Sequence, residues 1–147
     1  MDSARQIENL LYTYAERIDA GDFDGVADLF THGRILGMED GPPESVFEGR
    51  DRVRWLYGRT TRIHEDTGTP RTKHLTTNCR IEVDDEAGTA TARSSYLVTQ
   101  ATPVLPLQVI ITGHYLDTFH RVDGAWSFES RTMFVDQTGD LSQHLLP

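Results

Sequence analysis

The chain of 147 residues contains a single cysteine, Cys79. It therefore forms no internal disulfide and offers no thiolate cluster to a metal. Basic residues are scarce, 14 against 23 acidic ones, for a net charge of −9. Nucleic acids and anionic membranes are held by basic patches, so neither is expected as a partner. No apolar run approaches the roughly 20 residues of a membrane span. The opening MDSARQIENL is spaced as an amphipathic helix rather than as a charged stretch followed by an apolar one. No signal peptide is expected from it, and a cytoplasmic location is. Glycine-rich phosphate loops, G-x-S-x-G elbows and H-x-x-x-H pairs are missing too, so neither a cofactor nor a metal is expected. His114 and His120 lie on one predicted strand but are too far apart to pair on one ion, and His32, His64 and His144 stand isolated. What is left is an ordinary apolar and charged content, which fits one globular domain over 1–147 with a real core.

The pattern begins with helices. Asp2 or Ser3 caps a helix whose apolar stripe is Ile7, Leu10, Leu11, Tyr14 and Ile18, and Gly21 ends it. Asp22 caps a second, shorter helix that buries Phe23, Val26, Ala27, Leu29 and Phe30. A short strand is predicted over 34–38, a surface loop over GMEDGPPES, and a brief strand at 46–48. A third helix over 50–62 carries Val53, Leu56 and Tyr57 on one stripe, with Trp55 off it. Strands follow: RTKHLTTNCRIE over 71–82, then 89–101, 107–122 and 126–135. The turns are DDEAG, a Pro-flanked loop at 102–106, and Asp123-Gly124. Strict alternation in the first of these strands sets Leu75, Thr77, Cys79, Ile81 and Val83 on one face and His74, Thr76, Asn78 and Arg80 on the other. The His74 strand is expected at the centre of the sheet. Its apolar face, with Leu97, is expected to cover a partner copy in a homodimer or homotrimer. Helices first and antiparallel strands after read as an α+β fold with the helices on one face of a curved sheet. The last dozen residues read as a tail.

Five stretches together resemble the nuclear transport factor 2-like, or SnoaL-like, superfamily over nearly the whole chain. They are Tyr14 to Asp19 with Gly21-Asp22-Phe23, Glu48-Gly49-Arg50, His74 to Asn78, Gly113-x-Tyr115-x-Asp117, and Asp123-Gly124-x-Trp126-x-Phe128-x-x-Arg131. The resemblance implies a cone-shaped α+β barrel, three N-terminal helices on a strongly curved, mostly antiparallel sheet. It is strongest toward the scytalone dehydratase, bile acid 7α-dehydratase and lindane dehydrochlorinase branch, whose members use a His–Asp dyad and no cofactor. It implies His74 and Asp19 as that dyad, Tyr14 as a catalytic phenol and Arg131 as a catalytic arginine. The further histidine that scytalone dehydratase carries on its next strand has no counterpart over 89–101, where Ser94 and Tyr96 are the nearest polar residues.

The chemistry explains why such residues belong together. A base that removes a proton next to a carbonyl or leaving group must be neutral near pH 7 and correctly oriented, and histidine is the side chain that titrates there. A carboxylate on one ring nitrogen selects the tautomer and stabilises the imidazolium that forms. A phenol donates a hydrogen bond to a developing oxyanion, whereas arginine stabilises charge without giving up its proton. Each residue also has a plainer reading. Asp19 beside Gly21 reads as a helix-end residue, Tyr14 as core, and Arg131 as an ion-pair partner of Glu129 or of a carboxylate on a neighbouring strand. An ideal helix also sets Asp19 about 140° from Tyr14. The expected function is a small-molecule lyase or isomerase acting on an apolar or polycyclic molecule. Phe30, Trp55, Tyr57 and Tyr96, with Val109, Ile111, Tyr115 and Phe134, are expected to line the cavity. The alternatives are a non-catalytic assembly subunit, like the small subunit of a ring-hydroxylating dioxygenase, or another cone enzyme. A ketosteroid isomerase-like protein would need a second acid, for which Asp117 is the candidate; an epoxide hydrolase-like enzyme is the other.

Overall fold

A computed structural model describes residues 1–147. Three helices, α1 (Ser3–Asp19), α2 (Phe23–Asp28) and α3 (Gly49–Thr60), pack on one sheet of six strands. The strands are β1 (Arg34–Leu36), β2 (Val46–Glu48), β3 (Thr72–Asp84), β4 (Thr89–Thr102), β5 (Leu105–Val122) and β6 (Ala125–Thr138). Their order is β2-β1-β6-β5-β4-β3. Every pairing is antiparallel except β1 with β6. The sheet does not close, so the cone is an open one with β2 and β3 at its edges. No helix is long and apolar enough to cross a membrane.

The helices form where their caps and stripes predict. The Asp2 carboxylate accepts from the Arg5 amide at 2.8 Å and so satisfies one of the free donors of the first turn. Ile7, Leu11, Tyr14, Ala15 and Ile18 form the buried side of α1, at steps of three, four and one. Gly21 stops the helix at φ +73, a conformation that costs glycine little. A Cβ there would lie 2.4 Å from the Gly68 carbonyl oxygen, so the loop before β3 closes against the end of α1.

The sheet corrects two expectations. β3 is an edge strand, not a central one, because it opens a meander in which each strand pairs with the next, and β6 spends its free edge on β1. The alternation of β3 also breaks. The register slips between Thr77 and Arg80, so Asn78 and Cys79 together face Ser94 alone. Asn78 adopts φ +55, the left-handed conformation that asparagine tolerates better than most residues. One extra residue exchanges the faces. Cys79, Ile81 and Val83 therefore point inward, with His74 and Thr76, and pack against the core. The outer face keeps Leu75, paired with Leu97.

The core lies between α1 and the inner sheet face. Ala90 and Ala92 of β4 are buried there and give the neighbouring large groups room. Phe30, Phe119 and Phe128 fill the centre; Phe30 stacks on Phe128 at 4.8 Å between ring centres. On β5, Gly113 is required by what lies against it. A Cβ would meet the Phe134 carbonyl oxygen at 2.0 Å and the Tyr96 ring at 2.6 Å. That space lets Tyr96 stack on Tyr115, ring centres 4.3 Å apart, and donate its hydroxyl to the Phe134 carbonyl at 3.0 Å.

Candidate active site

The end of α1 and the inner face of β3 meet at Asp19 and His74. His74 Nδ1 lies 2.6 Å from Asp19 Oδ1, and the other oxygen, Oδ2, accepts from the His74 amide at 2.8 Å. Thr72 Oγ1 donates to Oδ1 at 2.9 Å. A carboxylate only accepts, so Nδ1 carries a proton, and in the neutral ring Nε2 is the free nitrogen. Three donors from one strand hold the carboxylate in place. Two other histidines also face carboxylates: His114 Nδ1 lies 3.0 Å from Asp136, and His120 lies 3.6 Å from Glu129. Exposure separates them. The side chains of His74 and Asp19 are 10% and 17% exposed, against 42% and 50% for His114 and Asp136, whose interaction water and salt screen.

The His74 ring lines a cavity of about 110 Å³ with Tyr14, Ile18, Tyr57, Tyr96, Ile111, Tyr115 and Met133. Larger hollows exist: one of about 480 Å³ beside Glu82, Asp84, Thr91 and Glu129 holds no histidine, and one of about 350 Å³ beside Tyr12, Glu16 and Lys73 touches Asp19 and His74 but has few apolar groups in its lining. Chemistry rather than size singles out the smaller one. The Tyr14 and Tyr57 hydroxyls hydrogen-bond each other, and the Met133 sulfur lies 3.6 Å from the Tyr14 hydroxyl. Burial pushes the Tyr14, Tyr57 and Tyr115 phenols up, the last two well above the ordinary tyrosine value, and Tyr96 up to about 12. They stay neutral in the physiological range and act as hydrogen-bond donors rather than as titrating acids. Replacing Tyr14 with phenylalanine strands the Tyr57 hydroxyl and is expected to cost about 1–3 kcal/mol of stability, measured by urea unfolding. A change below about 0.5 kcal/mol would show that the pair holds nothing together.

Arg131 stands behind this wall. It is fully buried, and its Nε and Nη2 donate to the two oxygens of Asp117 at 2.8 and 3.0 Å. Its guanidinium carbon lies 3.6 Å from the Tyr115 ring centre and 4.3 Å from that of Tyr14. Burial opposes charge on both partners and raises Asp117. The two-pronged contact outweighs burial for the arginine, whose pKa rises, so the pair is ionised.

Of the residues singled out from the sequence, His74, Tyr14, Tyr57, Tyr96, Ile111 and Tyr115 meet around the cavity. Asp19 reaches it only through His74, which resolves the angular mismatch with Tyr14: the aspartate backs the histidine from the far side. The others fall elsewhere. Arg131 is not at the cavity, because the buried carboxylate of Asp117 claims it. Phe30 is core. Trp55, 47% exposed, stacks on Phe47 at the surface, because the buried side of α3 is Val53 and Tyr57. Val109 is 48% exposed, on the outer face with its partner Thr99. Phe134 stacks on His114 at 4.4 Å and pairs with it across β5 and β6, outside the cavity.

Sequence reasoning missed the tail. Residues 139–147 fold back onto the end of α3 and the residues after it and bring His144 into the cavity lining. Arg62 donates its amide to the His144 carbonyl at 2.8 Å, and Leu146 donates to Thr60 at 3.0 Å. Buried Gln100 donates from Nε2 to the carbonyls of Pro70 and Gln143, each at 2.9 Å. The signal was Leu141, Leu145 and Leu146 around His144, more apolar surface than a free tail displays.

Burial, and then His74, holds the His144 imidazole down to about 4, with His64 adding and Asp19 opposing. A pKa below the unfolded value means the undocked tail binds the proton better. Docking is thus fully favoured above about pH 6.5 and is lost as pH falls from there toward 4, by up to roughly 3 kcal/mol. Hydrogen exchange at the Leu145 and Leu146 amides is expected to accelerate across that window before the sheet loses protection. Protection unchanged down to pH 4 would contradict it.

The profile of the SnoaL-like domain matches residues 1–132. No curated protein matches the chain. Among solved structures it is similar to a function-unknown protein from Mycobacterium tuberculosis, 28% identical over 91% of this chain and 72% of that one, at a TM-score of 0.70. A scytalone dehydratase-like protein from Novosphingobium aromaticivorans is 26% identical over 93% and 86%, at 0.69. A hexachlorocyclohexane dehydrochlorinase shares the fold at 16% identity over 99% and 89%, at 0.67. With its profile matched over residues 1–132, the chain belongs to the SnoaL-like domain family.

Proposed function

We propose that this chain is a cofactor-independent lyase or isomerase in which His74 is the base and Asp19 its orienter. The observation that carries the reading is the contact of His74 Nδ1 with Asp19 Oδ1, at 2.6 Å, beneath a largely apolar, tyrosine-lined cavity. Nε2 takes a proton from carbon next to a carbonyl; the C–H pair becomes the enolate and the imidazole becomes imidazolium. The proton then returns to another carbon, which is isomerisation, or to a departing hydroxyl, which is elimination. Tyr14 donates a hydrogen bond to the developing oxyanion. Arg131 acts from behind, by holding the Tyr14 and Tyr115 rings. The likeness to a scytalone dehydratase-like protein supports this class of chemistry.

Cavity size narrows the substrate. Ligand sites usually measure about 300–1,000 Å³, and about 110 Å³ admits only a small molecule while the tail is docked. A polycyclic ligand requires the tail to lift. The test is deuterium exchange into the α-carbon of small ketones in heavy water, followed by NMR. Exchange that the wild type catalyses and His74→Ala does not is the expected result, and equal exchange by both would remove His74 from the mechanism.

A homodimer or homotrimer through the sheet's outer face also belongs to the proposal. With Cys79 and Ile81 turned inward, that face relies on Leu75, Leu97, Val109 and Phe134. Light scattering at micromolar concentration is expected to give a multiple of 16.6 kDa, and a monomer would refute it.

A further inference from the structure

We propose that His144 is the second working imidazole of the site, a hydrogen-bond donor that the C-terminal tail delivers to hold an oxygen of the ligand opposite His74. The inference rests on the reading of this cavity as a proton-transfer site, and it narrows the ligand to a small molecule with a carbonyl or similar acceptor oxygen. His144 lines the same cavity as His74 and is 6% exposed. Its Nδ1 is buried with no hydrogen-bond partner. Buried polar groups are nearly always paired, so an idle imidazole beside a cavity marks a place where a ligand atom belongs.

The backbone around it is fully engaged. The His144 amide donates to the Leu141 carbonyl at 3.0 Å, and its carbonyl accepts from Arg62 at 2.8 Å. The backbone that carries the ring is therefore held in place, while Nδ1 is unused. A leucine or phenylalanine would fill the same space without burying a polar atom. Burial and the neighbouring His74 keep the ring neutral near pH 7, with one N–H and one lone pair. Neutrality suits the chemistry, because His74 becomes a cation on taking a proton and a second cation beside it would oppose that step. The oxyanion that develops as the proton leaves needs donors, and the Tyr14–Tyr57 pair supplies them from one wall only. His144 supplies one from the tail.

The probes are cyclopentanone and methylenecyclopentane, which have nearly one shape and differ in the oxygen. Both are titrated into the wild type, His144→Ala and His144→Gln, with side-chain nitrogen NMR of the imidazoles and deuterium exchange into the ketone read on the same samples. The ketone is expected to shift the His144 Nδ1 resonance and to bind about five- to tenfold more tightly than the alkene. That advantage disappears in His144→Ala and returns in part in His144→Gln, which keeps an N–H donor. Equal binding of the two probes, no binding of the ketone, or an advantage that survives in His144→Ala overturns the proposal. If a variant does not fold, the resonance shift in the wild type decides alone. Loss of exchange with the ketone preference intact would fail the base reading of His74 and leave His144 as the oxygen site. Exchange without the preference would sink His144 alone.

Discussion

Replacing Asp117 with leucine while Arg131 stays in place will lower the unfolding free energy by about 3–5 kcal/mol. The arginine has no exposure at all, and both of its carboxylate contacts come from this one residue. Its Nη1 already has no partner, so the fold has nothing else with which to neutralise the charge. The Tyr115, Tyr14 and Phe128 rings stabilise the cation, by about 2 kcal/mol or more each when desolvated, but carry no negative charge to neutralise it. An uncompensated cation there forces water in or the tyrosine wall out. Replacing both partners at once, Arg131→Met with Asp117→Leu, removes the charge together with its counter-charge and is expected to recover most of the loss. Urea unfolding measures all three proteins. A single substitution that costs less than about 1 kcal/mol would show that the pair does not support the wall.

The second large effect is catalytic. Asp19→Asn and His74→Ala are each expected to lower the rate of ketone α-proton exchange by about 10²–10⁴. Asparagine keeps the size of the aspartate, and its carbonyl oxygen still accepts from the His74 amide or from Thr72. What it loses is the charge, and an amide nitrogen turned toward the ring would select the wrong tautomer. The double variant should be barely slower than either single one, because residues that act as a unit are not additive. Additive losses would mean that the two side chains contribute separately. Unchanged thermal unfolding of Asp19→Asn would separate the electrostatic role from a packing one.

The helices and the succession of strands along the chain were legible because caps, stripes and turn residues are local signals. Asp2, Gly21 and Asp123-Gly124 act where they stand. His74 and Asp19 were legible through a motif, and the tyrosines through their aromatic size. Four things were not. The bulge at Asn78 is one residue in a run that alternates perfectly on paper, and only pairing with β4 reveals the slip. The edge position of β3 depends on β6 choosing β1, a contact between residues almost a hundred apart. The partner of Arg131 is a third: the reading as an ion-pair partner of a carboxylate on a neighbouring strand holds, but that the carboxylate is Asp117 is fixed by β5–β6 register, which a motif match does not encode. His144 escaped because a tail carries no periodicity, and its place is set by Gln100, Arg62 and Thr60, which lie far from it in sequence.

The proposed chemistry requires Asp19 to hold His74 with its proton on Nδ1 and to leave Nε2 free as a base. Side-chain nitrogen NMR of the imidazoles near neutral pH tests it without any substrate. His74 is expected to show a protonated Nδ1 and an unprotonated Nε2, and Asp19→Asn to change this pattern. A His74 ring with its proton on Nε2, or one whose resonances ignore Asp19→Asn, would contradict it.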